Sequence, residues 1–380
     1  MKIAVFALLL ALLLCPIYTA AEESSQDIVY TVTDPTGTFL FTFCGILSEG
    51  DEYISADNML YRITTIQNNQ ATAAQMGIES MPDVSWLNTG EAQPVFASQV
   101  LPASNNKTNN KKLIAMYVTH SDESYVPTDG TESINGQGGI YDVARQFRDE
   151  LQMQGIDVIL DESTHLPHDS GAYRRSRQTA ERLLQKRPDA IIDIHRDGIP
   201  DKNEYACTIK GDPASQVRLL VGRSNQNSEV NREFAKQIKA VADKQYPGLI
   251  KDIFIGKGNY NQDLSPNAIL FEFGTHTLSK DRVLESTKHM AHVVNTALYG
   301  ANTGSAKAEK TSASKAARVT SDKNKGAISG IAGLIILAVL GTAIFAFAQT
   351  GNSKAMVGKI KRGVSEITGG ILGKKPDKDE

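Results

Sequence analysis

Cysteine is scarce: three occur in 380 residues, too few for a disulfide framework. Cys15 falls in an apolar leader and follows Leu14 rather than the small residue a lipidation site wants, which leaves Cys44 and Cys207. A positive excess is also missing. The formal net charge of -3 excludes the broad basic surface of a nucleic-acid binder, so no nucleic-acid partner is expected.

Two long uncharged runs stand out instead. Residues 1–21 carry Lys2 as a positive head, an apolar run from Ile3 to Leu14, and Thr19, Ala20 and Ala21 before an acidic pair. That pattern predicts a signal peptide or an uncleaved N-terminal anchor. Residues 327–348 form a second run of 22 residues, about 33 Å as a helix against a hydrocarbon core of ~30 Å, and are expected to cross a membrane. Lysines and arginines flank the run on both sides, so the positive-inside rule leaves it unoriented. The export signal orients it. Residues 22–326 are expected outside the cytoplasm and residues 349–380 inside, which places the protein in the cell membrane with an extracytoplasmic body. A linker rich in Ala, Ser and Lys over 301–326 reads as disordered.

From 22 to 110 the pattern is uneven. "TFLFTF" and "YRITTI" suggest short strands with Gly50-Asp51 as turn chemistry, and the stretch is expected to be a small β-rich or partly disordered stalk ending in the polar run "ASNNKTNNKK". From 111 to 300 strand-like and helix-like segments alternate. "LIAMYVT", "IDVIL", "AIIDIH", "YACTIK", "VRLLVG" and "NAILFEF" read as strands. Four helices are expected. One puts Ile140, Val143, Ala144, Phe147 and Leu151 on one face and ends at Gly155; one runs from Ala172 and stops at Pro188; one turns Val230, Phe234, Ile238 and Val241 inward; one runs from Asp281 to Tyr299. Such alternation predicts an α/β domain, a mostly parallel sheet covered by helices on both faces.

Three of these strands end in ionisable groups: "MYVTHSDE", "IIDIHRD" and "ILFEFGTH". In a parallel sheet the C-terminal strand ends share one edge, so His120, Glu123, His195 and Glu272 are expected to converge there. His, Glu and His supply a complete protein ligand set for a catalytic Zn2+, with the fourth position left to water. Asp193 and Asp197 flank His195, and either can hold the imidazole's other nitrogen. Glu272, between Phe271 and Phe273, is expected to be desolvated and suited to moving protons near neutral pH. His276, in the loop that follows, is a spare ligand or donor. On the helix from Ala172, Tyr173, Arg177, Ala180 and Leu184 share a face, so Arg177 is expected to point inward toward an anion, either Asp193 or Asp197 or a substrate carboxylate, while Arg174, Arg175 and Arg182 form a solvated face. His165, His168, His289 and His292 show no site spacing.

With "GDEYISADNMLYRI", "THSDESYVP", "GIDVILDESTHLPHDSGAYRRSR", "DIHRDG" and "ILFEFG" following one another in order, the chain resembles the stage II sporulation protein P family of peptidoglycan hydrolases. The resemblance implies a fold like that of zinc-dependent N-acetylmuramoyl-L-alanine amidases and cleavage of the amide between muramic acid and the stem peptide, with an endopeptidase activity as a second capability. It also implies a septal or intermembrane location, a role in wall remodelling during engulfment, and a partner like the lytic transglycosylase stage II sporulation protein D. By position, His120 and His195 fall on the family's two motif histidines and Glu272 on its catalytic glutamate; Arg196 joins Tyr173 and Arg177 as a candidate substrate contact. Glu123 is the expected third ligand, although general amidases take theirs just before the first helix, where Glu132 is the nearest acid. A zinc carboxypeptidase acting on wall peptides, with Arg177 clamping a terminal carboxylate, and an inactive membrane-tethered wall-binding module are the alternative readings.

Overall fold

The computed structural model describes residues 28–89, 111–169 and 171–300, all within one compact unit. The leader at 1–21, the linker at 301–326, the span at 327–348 and the tail at 349–380 lie outside the described residues. Among the described ones no helix is long and apolar enough to cross a membrane.

Among the described residues thirteen strands run in chain order: β1 (Val29–Thr33), β2 (Phe39–Cys44), β3 (Glu52–Ile54), β4 (Met59–Gln67), β5 (Gln70–Ile78), β6 (Leu113–Tyr117), β7 (Asp157–Leu160), β8 (Ala190–Asp197), β9 (Ala206–Ile209), β10 (Asp212–Ser215), β11 (Val217–Gly222), β12 (Ile250–Gly256) and β13 (Ala268–Thr275). The long helices are α1 (Ile140–Met153), α2 (Ala172–Leu184), α3 (Ser228–Gln245) and α4 (Lys280–Tyr299). Eleven strands form one sheet in the order β2-β1-β5-β4-β3-β12-β11-β13-β8-β6-β7, and β9 and β10 make a separate hairpin.

The α/β class holds, but the sheet is mixed. From β12 to β7 it is parallel except where β11 meets β13. The N-terminal strands pair mainly antiparallel, and β3 joins them to β12 through Ile253↔Ile54 and Ile255↔Glu52. The stretch expected as a stalk is β-rich, and within the described residues it continues the main sheet instead of standing apart. The cause is legible in the burial. Phe41, Phe43, Tyr53 and Ile63 form one apolar cluster with Leu220, Phe254 and Leu270 of the central strands; alone, neither half could cover those faces.

The period-2 alternation of the strands assigns each face its cover. On β8, Ala190, Ile192 and Ile194 face the main core under α1, α3 and α4, whereas Ile191 faces α2 through Ala180 and Leu183. Helices thus lie on both faces, with the N-terminal strands sharing the α2 side. Asp193, His195 and Asp197 follow Ile191 in the alternation and so open on the α2 side. Glu272 follows Leu270 and does the same.

Arg218, 1 % exposed, ties the layers together. Its Nε and Nη2 donate to Asp252 Oδ1 and Oδ2 at 2.7 and 3.0 Å, its Nη1 to Asp197 Oδ2 at 2.9 Å, and its Nη2 also approaches the Thr42 carbonyl of β2 at 3.4 Å. Arg218→Met keeps volume but leaves two buried carboxylates without their cation. A loss of about 3–5 kcal/mol is expected, read from urea unfolding of residues 28–300; a loss below about 1 kcal/mol would show that the cluster does not hold the strands together.

Candidate metal centre and active site

Strand register brings the chemistry together. Glu272 of β13 sits opposite His195 of β8 on one side and Arg218 of β11 on the other, so three ionisable side chains form a row across adjacent strands. On the far side of β8, Tyr117 of β6 pairs with Asp193, and the chain then leaves the sheet through Thr119 and His120. A tight turn in which the Glu123 N–H bonds to the His120 carbonyl at 3.3 Å returns Glu123 toward His195.

His120, Glu123 and His195 are all buried, and their ligand atoms lie within 4.8 Å of one another. Glu123 Oε1 stands 3.1 Å from His120 Nδ1 and 3.4 Å from His195 Nδ1. Bonds of about 2.0–2.1 Å in tetrahedral array put neighbouring donors roughly 3.3–3.4 Å apart, so two imidazoles and a carboxylate at this spacing suit a divalent metal. The other Glu123 oxygen accepts the Arg196 N–H at 3.0 Å, which fixes the carboxylate plane. Burial alone would push Glu123 up, but the charge of His195 and hydrogen bonds from both histidines hold it well below the usual carboxylate range.

Of the two expected partners for His195, Asp193 is the one in place. Its Oδ1 lies 3.1 Å from His195 Nε2, close by charge although off the line of a straight hydrogen bond, and its two oxygens accept from Thr119 N and Oγ1 at 2.9 and 2.6 Å. Asp197 is not a partner of His195. It accepts from Tyr205 Oη at 2.7 Å and from Arg218.

Glu272 lies at the wall of the same cavity, with Oε2 shut off from solvent and without a hydrogen-bond partner. Burial pushes its carboxyl up to about 8, and a cation in the adjacent centre would draw it back down. The cavity encloses about 260 Å³. Glu132, the alternative ligand, is outside the centre: its side chain is exposed, with His276 Nε2 3.8 Å away. His276 is set by a hydrogen bond from its own N–H to the Asp197 carbonyl and does not line the cavity.

Arg177 does line the cavity, but its anion is neither Asp193 nor Asp197. Nη1 and Nη2 donate to the two oxygens of Asp263, both at 2.8 Å. The buried stripe of α2 is Ala172, Ser176, Thr179, Ala180 and Leu183, one position round from the expected face. Tyr173 therefore borders the cavity, its ring centroid 5.6 Å from that of His120 and 6.2 Å from that of His195. Of the three arginines expected on a solvated face, Arg174 is exposed and also borders the cavity, whereas Arg175 is turned back onto the His165 carbonyl and Asp169. Arg196 anchors the loop after His120 by donating to the carbonyls of Ser124, Asp197 and Glu132.

His168 had no sequence signal. Its ring stacks on that of His120 at 3.9 Å, and its Nδ1 lies 3.0 Å from Asp122 Oδ1. A loop histidine has no period to betray it; only the acid two positions after His120 could have hinted at a partner. Phe43 to Ile46 at the end of β2 and Lys257 to Asn261 after β12 complete the walls.

Against known proteins, residues 50–295 match the family profile of Stage II sporulation protein P (SpoIIP). Stage II sporulation protein P of Bacillus subtilis (strain 168) is 32% identical over 186 residues, which take in 44% of this chain and 46% of that protein; the match spans less than half of the relative's own length. Among solved structures, the N-acetylmuramoyl-L-alanine amidase AmiC2 of Nostoc punctiforme aligns with a TM-score of 0.33 at 15% identity over 50% of this chain and 96% of that one. The CwlD amidase of Clostridioides difficile, solved in complex with the GerS lipoprotein, aligns with a TM-score of 0.33 at 14% identity over 50% and 96%. The profile covers well over half of the chain, including His120, Glu123, His195 and Glu272, and the chain belongs to the stage II sporulation protein P family.

Proposed function

We propose that this chain is a zinc-dependent peptidoglycan hydrolase that cleaves the amide between N-acetylmuramic acid and the L-alanine of the stem peptide. The observation that carries the reading is the buried His120–Glu123–His195 set with Glu272 beside it on the next strand, in a chain of this family. His120, Glu123 and His195 would hold the metal. When bound, zinc supplies Lewis acidity to a water and to the scissile carbonyl.

The protein's own groups do the rest. Glu272 takes a proton from the attacking water and passes it to the departing amine, work suited to a carboxyl whose affinity for protons burial has raised. Asp193 fixes the orientation of His195, and the Arg196 N–H fixes that of Glu123. Tyr173 and the β2 wall would border the amide within the cavity. An endopeptidase activity would use the same groups on a second amide. The carboxypeptidase reading is weakened because Arg177, its clamp, is engaged on both nitrogens by Asp263.

In the wider setting, the family points to septal wall remodelling during engulfment beside a stage II sporulation protein D-like transglycosylase, with residues 22–326 outside the membrane. Protease added to intact cells should then digest that body while a tag placed after Glu380 survives. A tag trimmed as readily as the body would overturn the topology.

His195→Ala in the full chain should lose most bound zinc and all measurable stem-peptide release; full zinc occupancy by elemental analysis would remove His195 from the centre. Glu272→Gln keeps shape and removes only proton exchange. It should retain zinc and affinity for wall fragments while stem-peptide release, followed by mass spectrometry, falls by roughly 10²- to 10⁴-fold. Loss of zinc from that variant would make Glu272 a ligand, and near-normal activity would move the base elsewhere.

A further inference from the structure

The support for His195 does not stop at Asp193. While Asp193 Oδ1 faces His195 Nε2 at 3.1 Å, its Oδ2 accepts from Thr119 Oγ1 at 2.6 Å. Ser176 Oγ stands 2.9 Å from that hydroxyl, and Asn261 Nδ2 donates to Ser176 Oγ at 3.0 Å. A carboxylate only accepts, so the one hydroxyl proton of Thr119 is committed to Asp193, and Ser176 supplies the proton between the two hydroxyls. All four residues are buried, and Asn261, at 7 % exposed, is the outermost. They come from the turn after β12, from α2, from the segment after β6 and from β8. The buried Tyr117 side chain is hydrogen-bonded into the same group.

The turn that carries Asn261 has other anchors. Gln262 fastens it to β11, accepting the Gly222 N–H at 2.8 Å and donating to the Leu220 carbonyl at 2.9 Å, and Arg177 with Asp263 ties it to α2. Asn261 takes a left-handed backbone, φ 56°, which asparagine adopts more readily than most residues. Its amide is thus available to the polar row, with a second bond to the Tyr173 carbonyl at 3.1 Å. At the far end the row acts on the centre twice. Asp193 Oδ1, the oxygen facing His195, also accepts the Thr119 N–H at 2.9 Å, and Thr119 directly precedes His120 in the loop that carries Glu123.

We propose that Asn261 is a positioning residue for the metal centre: through Ser176 and Thr119 it fixes Asp193, and through Asp193 it fixes the ring of His195. The proposal rests on the metal-binding reading of His120, Glu123 and His195. Hydrogen bonds in a buried row strengthen one another, and the groups that orient a metal's ligands set its affinity. Asn261 also lines the cavity, so one side chain joins the cavity wall to the ligand set. Loss of its amide loosens Asp193 while Gln262 and Asp263 still hold the turn.

The test measures zinc affinity of the full chain by competition with a chelator, beside urea unfolding of the metal-free protein. Asn261→Gly keeps the left-handed turn and removes the amide. It should weaken zinc binding roughly 3- to 10-fold, short of the about 10- to 100-fold that loss of a ligand's direct partner costs. Ser176→Ala should do the same, and the double variant should lose no more than about twofold beyond either single one, because a row is cut only once. Asp263→Asn breaks the other tie between the turn and α2. It should lower stability and leave zinc affinity within about twofold. Unchanged zinc affinity in Asn261→Gly, an equal loss in Asp263→Asn, or losses that multiply in the double variant would overturn the proposal. Should wild type bind no zinc, the metal reading is the one that fails, and the NMR resonances of the His195 ring in the metal-free protein decide. Shifts in Asn261→Gly and Ser176→Ala that Asp263→Asn lacks uphold the positioning role, and their absence ends it.

Discussion

The structure depends on burying charge without leaving it alone. Arg218 sits 1 % exposed on a central strand among the Phe41, Phe43 and Phe254 rings, an environment that is tolerable only because Asp252 and Asp197 surround its guanidinium. Burial opposes the charged form of this group, and the two carboxylates more than reverse it, holding Arg218 well above its ordinary value. The same burial pushes Asp197 up against the pull of Arg218. Each member therefore needs the others. Because they come from β8, β11 and β12, with β2 reaching in through Thr42, satisfying them fixes how four strands lie.

That constraint explains how the candidate site stays ordered beside it. Arg218, Glu272 and His195 are neighbours in one row, so any slip of β13 against β8 or β11 would turn Glu272 into the core and leave Arg218 beside an apolar neighbour. Gly274 follows immediately with φ 69° and no room for a Cβ beside Ser215 Oγ at 2.8 Å. The ladder is irregular there, between Glu272 and Thr275. The strand holds strict register up to Glu272 and breaks it straight after, which frees His276 to leave the cavity and bond back to Asp197.

Much of this was legible because it rests on period. The faces of α1 and α3 follow from apolar spacing, and the convergence of His120, Glu123, His195 and Glu272 follows from strands ending in ionisable groups on one edge. What was hidden rests on pairing between distant residues. β12 reads "IKDIFIG", and Lys251 and Asp252 interrupt its apolar run; they are buried because Glu204 and Arg218 neutralise them. Arg177 looked like an anion receptor until Asp263, 86 residues away, occupied it. The N-terminal strands were visible as β-rich, but their membership of the main sheet depends on a three-residue strand, Glu52–Ile54, too short to carry any pattern.

Those N-terminal strands also divide the cavity's labour. His120, Glu123, His195 and Glu272 all lie within residues 50–295, the span that matches the family, whereas the wall formed by Phe43 to Ile46 precedes it. Phe43 is packed on Phe254 with ring centroids 4.2 Å apart, so its position is dictated by the core, but Ile46 is only half-buried and faces the cavity. Changing a side chain there alters the shape of the cavity without touching His120, Glu123, His195 or Glu272, or the row that orients them. Chemistry and shape are thus carried by separate segments, and the buried Arg218 cluster, contacted by β2 on one side and Glu272 on the other, is the joint that keeps the two in register.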